Sequence, residues 1–451
     1  MRDWRTTLSS TVRNTLWFVP ALFTVAAAAL AVALMALERR GLPGGGGGPG
    51  WLYQGGAEGA RSVLSAIAGS LVTVTGVVFS VTIVAVQLAS SQYTPRVLRN
   101  FTSDRGNQAV LGIFIGTFTY ALLVLRTIRS SQGEGEPFVP RVAVTVAVVL
   151  VLVSVAALIY FVDHVASEIH VTAILDRITR NTMRNVHQLF PEQIGRADEV
   201  PPPDPRLPEH QSAPVRARRA GYLQRVDEDR LFELGRGRRI VIGMVPRIGD
   251  YVLPGRTLAS VWTREPPDEE LERAVLGAFV LGPERMPDQD VEFGIVQMSD
   301  IAIKALSPSV NDPTTAIRCI DRLAEVLAEF GARKPPEARR TRDGAVRFVA
   351  SYSTFERAVA VAYDDVRHFG AGIPLIAVHL LDTLAALLKR VPAARREPLL
   401  DQARAVLHAA REEIRNPRDL AAVERAARRL AEQTGLDPDS APRGAGSDEE
   451  A

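Results

Sequence analysis

SVLSAIAGSLVTVTGVVFSVTIVAVQLASSQYTP, residues 62–95, contains no charged side chain. A bilayer core is crossed by about 20 apolar residues in helical form. Unpaired backbone groups are too costly in hydrocarbon for this stretch to be anything but a helix. Working outward, three more segments of the same kind appear. They predict transmembrane spans at 14–37, 62–91, 106–126 and 142–162. The first follows Arg2, Arg5 and Arg13 like a signal peptide, but its length and the spans behind it read as a retained signal-anchor.

Within the opening stretch Ser62, Ser65, Gly69, Thr73, Gly76, Ser80 and Gln87 recur at steps of three, four or seven. These spacings place them on one face of a helix. A stripe of small and polar residues through a bilayer has two readings. It packs helices tightly, or its hydroxyls line a water-filled conduit. Gly112 and Gly116 form a GxxxG on the third span and read as helix packing. The span interiors carry no Asp, Glu, Lys, Arg or His, which disfavours proton-coupled pumping. Arg61, Arg96 and Arg99 near the span ends lean toward anions if anything passes.

The chain has 451 residues, a formal charge of +2 and one cysteine, Cys319. One cysteine excludes a disulfide framework and a multi-cysteine zinc site. Beyond the transmembrane domain (1–165) the sequence predicts a connecting helix and a Pro-rich linker (166–219), with Pro201, Pro202, Pro203, Pro205, Pro208 and Pro214. A small β module follows (220–264), on the runs RRIVIGMV (238–245) and TLASVW (257–262). A helical domain (265–434) shows apolar stripes such as Val291, Ile295, Met298, Ala302 and Ala305. The tail, 435–451, reads as disordered. The predicted class is therefore mostly α: four membrane helices followed by a cytoplasmic α+β region. Loop arginines are almost balanced between the two sides of the membrane. The cytoplasmic placement of both termini rests on the free cysteine and the Arg-rich soluble part.

Three stretches carry a resemblance: TGVVFSVTIVAVQLASSQYTPRVLRNF (75–101), GDYVLPG (249–255) and QDVEFGIVQMSDIAIKALSPSVNDPTTA (289–316). Together they resemble the domain-of-unknown-function 2254 family of bacterial membrane proteins. The resemblance implies a multi-pass protein of the bacterial inner membrane and no particular activity. Where family members tend to read Ser-Pro-Gly-Ile-Asn-Asp-Pro, this chain has Ser307, Pro308, Ser309, Val310, Asn311, Asp312 and Pro313. If that glycine supplies a positive φ, Ser309 needs another backbone solution. Pro308 should stop the helix that starts at Val291 near Leu306. Asp312 with Pro313 should cap and open the next one. A ligand or subunit contact is the other reading of this loop.

GDYVLPGRTLASVW also resembles the barrel-sandwich modules that carry biotin or lipoate. A carrier needs a lysine at a hairpin tip, and none lies between Gly221 and Trp262. Walker A, GxGxxG, GxSxG and HExxH are absent. Asp290, Glu292 and Asp300 lack metal-ligand spacing, and His164 with Glu168 offers fewer ligands than zinc needs. No catalytic residue, metal or cofactor is expected. Basic runs at Arg216, Arg218 and Arg219, and at Arg236, Arg238 and Arg239, suit anionic lipid headgroups. Aromatic interleaving of the kind that nucleic-acid platforms use is missing. The expected function is a homo-oligomeric passive channel or pore with a cytoplasmic assembly or gating domain. A membrane-anchored scaffold or sensor, without transport, is the alternative.

Overall fold

The structure is a computed structural model describing residues 17–40, 52–92, 104–129, 138–168, 170–190, 212–263, 266–287, 289–336, 338–342 and 345–435. Several sequence expectations lie outside the described residues: the N-terminal arginines, Arg96 and Arg99, the proline run 201–208 and the tail beyond 435. Two compact units divide the chain, residues 1–173 and 174–451.

The first unit holds α1 (Phe18–Arg39), α2 (Ala57–Gln92), α3 (Arg105–Leu125) and α4 (Arg141–Glu168). All four are long and apolar enough to cross a membrane, matching the four expected spans to within a few residues at most ends. The third is central: 56% of its apolar window is buried against 17%, 17% and 28% for the others, and α1, α2 and α4 all pack on it. Small residues permit that approach. A Cβ on Gly112 would come 2.9 Å from the Phe23 ring, and one on Gly116 would come 3.3 Å from the Phe23 carbonyl. The start of α4 is held twice at one residue. Tyr120 Oη donates to the Ala143 carbonyl at 2.9 Å, while the Ala143 N–H donates to Glu38 at 2.8 Å. Glu38 thereby serves as a remote cap for a helix end that would otherwise keep an orphan donor.

The second unit opens with α5 (Val171–Leu189), whose buried face carries Ile174, Leu175, Ile178 and Val186. Six strands and two short helices follow among the described residues: β1 (Ser212–Arg216), β2 (Gly221–Val226), α6 (Glu228–Arg238), β3 (Val241–Met244), β4 (Tyr251–Val252), β5 (Thr257–Trp262), α7 (Glu269–Leu276) and β6 (Phe279–Gly282). Six helices complete the described part of this unit: α8 (Val291–Leu306), α9 (Pro313–Ala332), α10 (Phe355–Gly370), α11 (Pro374–Arg390), α12 (Glu397–Glu413) and α13 (Pro417–Thr434). Between α9 and α10 the chain inserts β7 (Arg339–Arg342) and β8 (Ala345–Val349).

That insertion changes the expected division at 264. The strands form a five-stranded sheet, β1-β5-β3-β8-β7, and a three-stranded sheet, β4-β2-β6. β8 pairs parallel with β3, Ile242 opposite Phe348, so the helical region contributes strands to the β part. Both sheets, α6 and α7 share one core that includes Leu223, Leu231, Ile242, Leu258, Phe279 and Phe348. β1 arises inside the stretch expected to be linker. Pro214 is tolerated there because β1 is an edge strand, where a missing N–H costs little.

Candidate functional site

The stripe on α2 points away from the helices of its own bundle. Ala60, Leu64, Ile67, Ala68, Leu71, Val78 and Ala85 form the buried face of this helix. Ser62, Ser65, Gly69, Thr73, Gly76, Ser80 and Gln87 are all exposed. A Cβ added at Gly69 or Gly76 would meet nothing within 4 Å. The stripe is therefore not sealed against the third span. Its hydroxyl chemistry is partly answered inside the helix, since Thr73 Oγ1 donates to the Gly69 carbonyl at 3.2 Å. Nearby Thr75 and Thr82 donate to Leu71 and Val78 at 2.6 and 2.8 Å.

Beside the stripe, a groove of about 360 Å³ opens between α2 and α4, lined by Val77, Val78, Val81, Leu158, Phe161, Val162 and Val165. Its walls are apolar side chains, so it offers a solute no replacement for water and suits a lipid acyl chain. Arg61 is committed to structure: its guanidinium donates to the Ile128 carbonyl at 2.9 Å, just past the end of α3. His164 Nε2 lies 3.0 Å from the Asp104 carboxylate, and its ring stacks on Tyr160 at 5.1 Å. Asp104 is also the N-cap of α3, accepting from the Asn107 N–H. The side chain of Glu168 lies outside the described residues.

In the second unit the loop after α8 is built from the chemistry its sequence suggests. Ser307 ends α8 in an extended conformation. Asp312 caps α9, accepting from the Thr315 N–H at 3.0 Å and the Thr315 hydroxyl at 2.5 Å, with Pro313 in the first turn. Those bonds hold the Asp312 carboxyl below the usual carboxylate range. The positive φ falls on Asn311, at 48°, and not on Ser309. Asn is among the residues that reach this region most readily. Ser309 instead sits with its hydroxyl 3.2 Å from that of Ser307.

The start of α8 joins two of the resemblance-bearing stretches. Asp290 is its N-cap, accepting from the Phe293 N–H at 3.0 Å, and is paired with Arg285 at 2.7 Å. Burial pushes the Asp290 carboxyl up to about 6, against the lowering effect of Arg285. Glu292, also buried, accepts from Arg357 Nε at 2.9 and 3.0 Å and from Ser353 at 2.5 Å. Spacing alone gave no hint of these partners, which come from distant helices and loops. Cys319 is fully buried, and burial raises its thiol, so it presents no thiolate. Among the described residues no cluster of three or more His, Cys, Asp or Glu side chains is placed to hold a metal ion.

The two basic runs behave differently. Arg236 pairs with Glu233 at 2.5 Å, and Arg238 with Asp268 and Glu270 at 2.9 and 3.2 Å. Arg216 and Arg219 donate instead to backbone carbonyls, those of Gly255 and Leu281.

The family model described as Predicted membrane protein (DUF2254) matches residues 13–386. An uncharacterized protein of Mycobacterium bovis is 37% identical over 389 residues, covering 84% of this chain and 74% of the relative. Uncharacterized proteins of Mycobacterium tuberculosis match with the same identity and coverage. No solved structure matches the chain.

Proposed function

As the chain belongs to the DUF2254 family of predicted membrane proteins, we propose that it works as a homo-oligomeric passive pore, with α2 at the subunit contacts and around the axis. One observation carries this reading. The small and polar stripe of α2, including Ser65, Gly69, Thr73, Gly76, Ser80 and Gln87, is turned outward from its own bundle with open space above the glycines. Lipid chains gain nothing from glycines and hydroxyls, whereas a neighbouring helix or a file of water does. Nothing ionisable lies in the interiors of the spans, so movement through such a pore is downhill. The second unit then serves assembly or gating, and the protein is not an enzyme.

The back-bonded threonines favour a second reading, in which the stripe closes dry against a neighbouring copy and the spans only anchor a scaffold or sensor. Ion flux from liposomes holding the purified chain separates the two. A pore passes small ions downhill, and Thr73→Leu with Ser80→Leu reduces the flux severalfold while the oligomer persists. Comparing chloride with potassium as the permeant ion reads any anion preference. Flux absent from the native chain, or unchanged in the double variant, removes the pore and leaves the anchored scaffold.

A further inference from the structure

Among the described residues of the second unit six large apolar side chains are exposed, and two of them, Tyr251 and Leu253, stand on the chain that runs from β4 into the turn before β5. In the turn 253–256 the Leu253 side chain is 60% exposed. It is built rigidly. Gly255 N–H donates to the Ala217 carbonyl and Ala217 N–H to the Arg256 carbonyl, both at 2.8 Å. Arg216 and Arg256 brace it through the carbonyls of Gly255 and Tyr251 at 2.9 and 2.8 Å. Tyr251 packs edge-on against Tyr222 at 5.0 Å. Two large apolar side chains, Tyr251 and Leu253, are thus presented outward on one braced turn.

Charge identifies the occupant. The segments 212–226 and 240–262 carry Arg216, Arg218, Arg219, Arg225, Arg247 and Arg256 but a single acid, Asp250. Asp250 is already engaged by the Arg247 N–H at 3.0 Å. Tyr251 and Leu253 on a turn that also carries the Arg216 and Arg256 guanidinium groups match the interface of an anionic bilayer, where aromatic and aliphatic groups enter the headgroup layer and guanidinium groups meet phosphate. The bilayer is also covalently close. The fourth span ends near Val165 and the second unit begins at Ile174, which raises the effective concentration of lipid at this unit.

We propose that the Tyr251–Arg256 turn is a lipid-binding element that inserts Tyr251 and Leu253 into an anionic membrane surface while Arg216, Arg218 and Arg256 meet its phosphates. The contact is independent of whether the spans conduct. It selects the 216–219 run for lipid and leaves the acid-paired 236–239 run out.

The test uses the full chain with Leu253→Cys carrying an environment-sensitive fluorophore; the native Cys319 is fully buried and takes no label. The protein is placed in nanodiscs of phosphatidylcholine, with or without phosphatidylglycerol. With phosphatidylglycerol the emission shifts to the blue and spin-labelled lipid quenches it severalfold more than in phosphatidylcholine alone. Arg218→Glu diminishes that difference severalfold, and salt at about 1 M, where charges are screened beyond about 3 Å, abolishes it. Three results overturn the assignment: a probe that stays in water in every lipid; a blue shift without lipid quenching, which marks a protein partner or second copy; and equal quenching at a control label on Arg428→Cys. Unchanged melting of the labelled chain establishes that the fold is intact.

Discussion

Gly249 lies directly on the Asp290 carboxylate: a Cβ at position 249 would fall on Asp290 Oδ2 and on the Arg285 guanidinium. The turn that opens GDYVLPG is thus seated on the buried ion pair that caps α8. Gly249 also has a φ of 91°, outside the comfortable range of L side chains. Gly249→Ala therefore meets backbone strain of about 1–2 kcal/mol and splits the ion pair besides. The expected outcome is a loss of at least about 2 kcal/mol in denaturant unfolding of the second unit within the full chain. A variant as stable as the native chain would show that the turn and the pair are not in contact.

Asp290 should leave a signature in the pH dependence of stability. Its carboxyl is raised to about 6 by burial, above the unfolded value near 3.9. The folded state therefore binds a proton that the unfolded state has released, and stability attributable to this group is greatest below about pH 4. It is lost as pH rises through about 6, by up to about 3 kcal/mol at 1.36 kcal/mol per pKa unit. Unfolding measured from pH 4 to 8 on the native chain and on Asp290→Asn should diverge through this window. Parallel curves would contradict the buried, proton-binding carboxyl.

Glu292 and Arg357 test a different kind of pair, one buried partner and one reaching solvent. The Glu292 side chain is 5% exposed and that of Arg357 41%. Arg357→Ala strands a buried carboxylate, at a cost of about 2 kcal/mol after allowing for the solvent exposure of the arginine. Adding Glu292→Gln removes the stranded charge and should recover at least half of the loss. A double-mutant cycle in which the two changes simply add would show that the side chains do not interact.

These buried pairs mark where local sequence stops being informative. The four spans were legible because an apolar run of bilayer length needs no partner to declare itself, and the cap at Asp312 with Pro313 because capping acts within four residues. The pairing of β3 with β8 joins Ile242 to Phe348 across more than a hundred positions, and nothing local in either run announces it. The cap that Glu38 makes on the Ala143 N–H likewise joins positions 105 apart, which no local pattern announces. The stripe on α2 was visible as a stripe, yet periodicity fixes only a shared face. Which way that face turns depends on α3, whose own glycines draw α1 and not α2 into the closest contact.

That difference between glycines gives a last prediction on the membrane unit. Gly116 sits 3.3 Å, by its missing Cβ, from the Phe23 backbone carbonyl, which cannot move aside as a side chain can; Gly76 faces open space. Gly116→Val overpacks the α1–α3 contact and should lower the stability of the detergent-solubilised chain by about 1–3 kcal/mol. Gly76→Val should leave the melting of a single copy unchanged, because no neighbour within the chain is touched. Its effect belongs to the assembly, where a branched side chain holds a second helix off the stripe. Native mass spectrometry of the two variants should therefore show the native oligomer distribution for Gly116→Val wherever it remains folded, and a shift toward single copies for Gly76→Val. Unchanged assembly in Gly76→Val would show that no neighbouring helix packs on the stripe at this position, and would overturn its placement at the subunit contacts.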